Sequence, residues 1–436
     1  MLTLDLFAQL ARSNRRQSRL YVKLALLFIF LILIFWWLIL PGWTQQPVVV
    51  KTLVRADEAQ MLSPLATKFN QQHSDIQLQI VEAPSDSNQV EDLYTSSFLL
   101  GNSPYDLVYM DIVWTPKFAA AGWLEDISDR LSDTEAQEYL AGDLAGGMYE
   151  DKLYRLPFRS DAGMLYYRQD VLEQAGYEPP ETFSELLQIS QELQQQDLID
   201  WGYVWQGKQY EGLAAMFVEV LQGHGAFWVN PDTLEVGLDQ PEAIKAVEFL
   251  RQAIALGVSP PGVTTYAEEE ARLLFQNGKS AFLRNWPYVY SLALDSPIAG
   301  QYSIKPMVHA VGKDSGACLG GWGLGISTSS KHPDATWEVM QFLSSEESQR
   351  EFILATGFVP SRTVLFNDPA IIAKYNYYPK LLDVVQSSAL RPPISQYAQA
   401  SDILQRYLSA AITDKLTPKA AMQAATQETR NLLDRN

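Results

Sequence analysis

The chain has 436 residues, 47% hydrophobic and 19% charged, with a net charge of −18. That is the make-up of two or three folded domains rather than of a long disordered tract. The acidic excess disfavours nucleic acid, whose phosphates require clustered Lys/Arg, and one cysteine (Cys318) with four scattered histidines offers no disulfide framework and no metal motif.

The first element in chain order is apolar. Residues 24–40, LALLFIFLILIFWWLIL, contain no charge and no proline, at the short end of the roughly 17–25 residues that a spanning helix needs. Arg12, Arg15, Arg16, Arg19 and Lys23 precede it, so the positive-inside rule keeps 1–23 cytoplasmic and exports everything after Pro41. Trp36, Trp37 and Trp43 suit the outer interface belt. The run exceeds a usual signal-peptide core, PGWTQQP offers no small-residue cleavage site, and no cysteine follows to carry a lipid. An uncleaved single-pass membrane anchor is therefore expected, with 41–47 as linker. The exported part holds 28 basic and 50 acidic residues, net −22.

Beyond the linker, strand and helix signals alternate. VVVKTLV (48–54) is a β-branched run, a helical pattern follows through Met61, Leu62, Leu65 and Phe69, and IQLQIV (76–81) and YDLVYMD (105–111) read as strands. Such alternation implies an α/β fold with a largely parallel sheet, whose ligands gather at the strand carboxyl ends. Asp111 ends one strand and Glu58 follows another. After LYRLP (153–157) the pattern changes to helices at 183–193 and 240–256, strands at 280–285, 302–307 and 321–327, and a helical stretch over 403–433. Two α/β lobes fit this better than one sheet.

Sugars and polyols are recognised by carboxylates that accept paired hydroxyls and by aromatic faces that cover C–H patches. Polar and aromatic residues recur together at turn-like positions. Asp111 and Trp114 share a strand exit, where Asp111 could equally cap the following helix. Arg159 and Asp161 precede MLYYR in what could be a structural turn. Residues 205–212, WQGKQYEG, hold Tyr210 and Glu211 and could be a plain loop. Gly320-Gly321-Trp322 opens a strand, with glycines that permit close approach or a bulge. Arg391 precedes Pro-Pro and could be a surface ion pair, and Glu58 could cap the first helix. Asn285-Trp286-Pro287-Tyr288 ends a strand with two aromatics, either core or ligand wall.

Taken together, LVYMDIVWTPKFAAAGWLEDI (107–127), LYRLPFRSDAGMLYYRQDVLEQAGYEPPETF (153–183), WGYVWQGKQYEGL (201–213), FLRNWPY (282–288), LGGWGLGIS (319–327) and RPPISQYAQASDILQRYL (391–408) resemble the extracellular solute-binding proteins of ABC sugar importers, the trehalose/maltose-binding subgroup above all. The resemblance spans 48–433. It implies a two-lobed periplasmic-binding-protein fold of type II, maltose-binding-protein-like, with lobe 1 from 48–157 and 308–365 and lobe 2 from 158–307 and 366–436. It implies a non-enzymatic, monomeric receptor without cofactor or metal, which closes on a sugar and presents it to a membrane permease. By similarity Glu58, Asp111 and Asp161 receive sugar hydroxyls. Trp286 and Trp322 supply stacking aromatics, Gly320 and Gly321 backbone contacts, and Arg391 a donor to a hydroxyl or a partner that holds a carboxylate in place, while Trp114 is a ligand-binding candidate from its place beside Asp111. Tyr210 and Glu211 lie in a matching block.

Two departures bear on the ligand. Arg159 stands where the subgroup tends to carry an aromatic, and Val90-Glu91 where it tends to carry arginines. The implied ligand is an α-glucoside or glycosylated polyol of the trehalose, sucrose, maltose or glucosylglycerol class. Rival classes are a glycoside hydrolase, which needs two carboxyls about 5–5.5 Å or about 6.5–9.5 Å apart, and an acidic binder of a cation such as a polyamine.

Overall fold

The structure, a computed structural model, describes residues 46–434 except 232 and 387, together with Lys23 and residues 26–31. Residues 1–47 and 48–436 form separate units. Residues 26–31 are helical, and the rest of the expected anchor and most of the linker lie outside the described residues. Among the described residues no helix is long and apolar enough to cross a membrane.

The β-branched run folds as β1 (Val48–Arg55), followed by α1 (Ala56–Gln72) and β2 (Ile76–Ala83), which pairs with β1 in parallel along its whole length. Helix α2 (Ser87–Leu99), capped by Asp86 through the amide of Asn88 at 3.0 Å, leads to β3 (Leu107–Asp111), parallel on the other side of β1. Then come β4 (Leu156–Ala162), β5 (Met164–Arg168), α3 (Phe183–Gln195), β6 (Trp201–Val204), α4 (Glu211–Gly223), α5 (Pro241–Ala255), α6 (Glu268–Gln276), β7 (Ser280–Asn285) and β8 (Tyr302–Lys305). The chain closes with β9 (Leu319–Ile326), α7 (Pro333–Ser344), α8 (Glu346–Thr356), β10 (Val359–Pro360), α9 (Tyr378–Gln386), α10 (Tyr397–Ile412) and α11 (Pro418–Leu433).

Two sheets result. The first runs β10-β4-β9-β3-β1-β2 and the second β8-β5-β7-β6. Leu107, Val108, Tyr109 and Met110 are all buried, as expected for a strand covered on both faces by helices. Each sheet with its helices makes one lobe, and both lobes draw on distant parts of the chain.

The crossings between lobes fall later than the sequence reading places them. The first lies at Gly163, because Phe158–Ala162 still pairs with β9. Pro157 looks like a strand end, but it sits at the irregularity where β9 shifts register between Trp322 and Gly323, a position where a strand accepts proline. The second crossing follows residue 310, since His309 bridges Thr182 and the Ala310 amide donates to Gly223 O at 2.8 Å. The third lies between α9 and α10: α9 packs on β4 while α10 packs on α4 and α5. The predicted helical stretch 403–433 is two helices, broken at Asp414 (φ +61°) and restarted at Pro418.

Candidate functional site

Between the lobes, at the carboxyl ends of β1 and β3, lies a cleft of about 500 Å³, where an open α/β sheet places its ligand. It gathers Glu58, Asp111, Asp161, Tyr210, Glu211, Trp286, Gly320, Gly321, Trp322 and Arg391 from seven separate stretches of the chain. Trp114 is the exception. It is buried behind the cleft wall, edge-on to Trp322 with centroids 5.3 Å apart, and its role is packing. The 3-10 turn after β3 rotates it away from the side chain of Asp111.

Two arginines, each clamped between two carboxylates, organise the cleft. Arg159 donates through Nη2 to Glu58 Oε1 and through Nη1 to Asp161 Oδ2, both at 2.7 Å. Tyr109 adds its hydroxyl to Glu58 Oε2 at 2.5 Å. Arg391 donates through Nη2 to Asp111 Oδ1 at 3.0 Å and through Nη1 to Glu211 Oε1 at 2.6 Å. Tyr397 and Ser401 on α10 complete Glu211. Both arginines are nearly fully buried, which requires such pairing. Asp111 also accepts from the Val113 amide at 3.2 Å, so it both caps a turn and faces the cleft.

The carboxylates expected to bind a ligand are thus largely engaged by the protein. The exceptions are Asp111, whose two bonds both fall on Oδ1, and Asp161, whose Oδ1 is buried without a hydrogen-bond partner among the described residues. Arg391 Nε is a buried donor in the same condition. A buried acceptor without a donor costs free energy, and here both atoms belong to residues that line a cleft open to a ligand.

Trp286 leaves β7 into the cleft. The guanidinium of Arg284 lies 4.1 Å from its ring centroid, and its Nε1 donates to Glu268 Oε1 at 3.3 Å. Glu268 also accepts the Tyr210 hydroxyl at 2.6 Å. Gly320 is what lets the indole of lobe 2 approach lobe 1, since a Cβ there would stand 3.2 Å from Trp286 Cζ3. At Gly321 the backbone has φ +134°, which disfavours any side chain.

Of the two sequence departures, Arg159 lies at the centre of the cleft, whereas Val90-Glu91 does not reach it. Val90 is buried under α2 and Glu91 pairs with Lys117 at 2.9 Å. Sequence reasoning missed Tyr109, Arg55, Lys208, Glu268 and Phe358, which also shape the site. Tyr109 sits in the apolar run LVYMD and carried no signal. The triplet Glu268-Glu269-Glu270 did carry one, as acid at a helix start.

Burial pushes Asp161 up to about 7 despite Arg159, and Asp143, behind the same strand, up to about 7 despite Arg155. In the unfolded chain both titrate near 4. Between these values the folded state binds more protons, so stability rises as pH falls from about 8 to about 6, by about 1 kcal/mol per carboxyl. Thermal unfolding across that range should show Tm climbing on acidification. A flat or falling profile would contradict the burial of these two groups.

The sequence profile of the bacterial extracellular solute-binding protein family matches residues 55–350. A "Probable ABC transporter-binding protein" of Deinococcus radiodurans is 30% identical over 356 residues, covering 79% of this chain and 84% of the relative. A mannitol-binding protein of Pseudomonas aeruginosa is 25% identical over 406 residues, covering 85% and 89%. Among solved structures, maltose-bound MalE3 of T. maritima superposes with a TM-score of 0.84 at 34% identity, covering 88% of this chain and 100% of that one.

Proposed function

Since the chain belongs to the bacterial extracellular solute-binding proteins, we propose that it is the substrate-binding subunit of an ABC sugar importer, capturing an α-glucoside or glycosylated polyol between its lobes. The observation that carries the reading is Asp161 Oδ1, a buried acceptor without a partner among the described residues, in a cleft that also holds Trp286. A sugar hydroxyl would satisfy the one while a ring face covers the other. The relatives are binding proteins, and we read this chain likewise as a receptor without turnover that acts as a monomer and hands its ligand to a permease. Glu58 and Glu211 then act through their arginines rather than by meeting the sugar themselves.

The domain works on the extracytoplasmic side. Residues 24–40 tether it to the membrane, a reading that rests on their charge-free apolar run behind five basic residues. A tether keeps the receptor at high effective concentration near its permease.

Calorimetric titration of the chain with trehalose, sucrose, maltose and glucosylglycerol tests the reading. One of them should bind one-to-one, and Trp286→Ala should weaken it by about 1–3 kcal/mol, the scale of a buried stacking contact. Unchanged affinity would make Trp286 lobe packing. A second reading, a cationic solute, is favoured by the acidic residues Asp57, Asp86, Glu268, Glu269 and Glu270 that line the cleft. The two buried arginines oppose it, and heat on titration with a polyamine, with silence toward the sugars, would establish it.

A further inference from the structure

Resting on that sugar-binding reading, the geometry of the cleft also limits what the ligand is. A pyranose stacks only on an aromatic face that is open. Five aromatic side chains line the cleft: Tyr210, Trp286, Tyr288, Trp322 and Phe358. Trp322, Phe358 and Tyr210 are 4%, 5% and 8% exposed, too little to receive a ring.

Arg159 is the residue common to the first two, although over Trp322 it shares the place with Arg55, whose guanidinium carbon lies 5.6 Å from that ring centroid. The guanidinium carbon of Arg159 lies 4.2 Å from the ring centroid of Phe358 and 5.7 Å from that of Trp322. Behind them, Phe352 stacks on Phe358 at 5.6 Å and 3°, and Tyr109 stacks on Trp322 at 4.9 Å. Tyr288 is half-buried, leans on Phe358 at 5.7 Å with a tilt of 38° and is tied by its hydroxyl to Glu269 at 2.8 Å, so it stands beside the ring that Arg159 covers. Trp286 is left, half-buried. The cleft therefore has one stacking station on lobe 2, and it faces a lobe 1 wall that is ionic and hydrogen-bonding.

We infer that the cleft takes a single pyranose ring, free or joined to an acyclic polyol, and rejects a second stacked ring, with Arg159 as the residue that sets this limit. The ring lies on Trp286. The acyclic hydroxyls meet the wall of Asp161 and Arg391, which needs donors and acceptors but no apolar face. An oligosaccharide would have to lay its second ring against guanidinium and carboxylate.

The test is a titration of the detergent-solubilised full chain with methyl α-glucopyranoside, glucosylglycerol, mannitol, maltose and maltotriose. Methyl α-glucopyranoside or glucosylglycerol should bind at least tenfold more tightly than either maltose or maltotriose, and more tightly than mannitol, which has no ring to lay on Trp286. Arg159→Lys, which keeps the cation but gives up the planar cover, should narrow that ratio at least threefold. The comparison within the unmodified protein stands even if the variant fails to fold. Maltose or maltotriose binding more tightly than every smaller ligand overturns the limit while leaving the sugar-binding reading intact. Silence toward the whole panel removes that reading and the limit with it.

Discussion

Arg284→Met is expected to lower the free energy of unfolding by about 3–5 kcal/mol, the scale for removing one partner of a buried ion pair. Arg284 and Glu219 are both fully buried. The guanidinium donates through Nε to Glu219 Oε2 at 2.7 Å, through Nη2 to Glu219 Oε1, and through Nη1 to Gln206 Oε1 at 3.1 Å. The pair is packed against Gly163, where any Cβ would overlap Glu219 and Arg284, so the first crossing between lobes rests directly on it. Burial already raises the Glu219 carboxyl despite its partner. Without the guanidinium that carboxylate is left desolvated and unpaired. Urea unfolding of the ligand-free protein measures the loss, and adding Glu219→Gln should restore part of it, as coupled neighbours do. A loss under about 0.5 kcal/mol would mean that the pair is solvated in the folded state. The same variant removes the support 4.1 Å from the ring centroid of Trp286, so it should weaken ligand binding as well.

The second large effect is at Arg391. This residue lies on the third crossing and joins Asp111, at the end of a lobe 1 strand, to Glu211, at the start of a lobe 2 helix. Arg391→Ala would leave two carboxylates from opposite lobes facing each other across the cleft, a cost that falls on the closed arrangement alone. A ligand favours closure only by its extra contacts in the closed state, so an added penalty there subtracts directly from affinity. The expected loss is roughly 100-fold, about 3 kcal/mol. It should come with a failure of the radius of gyration to contract when the preferred sugar is added. Affinity within twofold of the parent, with contraction intact, would reduce Arg391 to a structural ion pair at the crossing.

Much of the fold was legible because local signals agreed with it. The β-branched 48–54, the alternating 76–81 and the buried run before Asp111 all became neighbouring strands of one sheet. The lobe boundaries were less so. Nothing local distinguishes Phe158–Ala162 from the strand that follows Gly163, although one pairs with β9 and the other with β7. The choice is made by partners more than a hundred residues away. Likewise, the residue types of the site could be read from polar-aromatic clusters, but their roles could not. Glu58 and Glu211 looked free to bind a ligand, and only tertiary pairing with Arg159 and Arg391 shows them engaged. Trp114, three residues after Asp111, shared its signal but not its direction, because one turn of 3-10 helix intervenes.

A sheet ordered β10-β4-β9-β3-β1-β2 cannot be completed until most of the chain has been made. Strand β9, which lies between β3 and β4, ends at Ile326, and the edge strand β10 ends at Pro360. Until the ribosome has passed these points, β3 and β4 have no common partner and the first lobe remains an open, sticky fragment. Pairings of such long sequence separation fold slowly and expose edges meanwhile. For a protein that must be threaded across a membrane, slowness is useful. A first lobe that cannot lock before Pro360 has followed leaves most of the polypeptide free to pass a membrane unfolded.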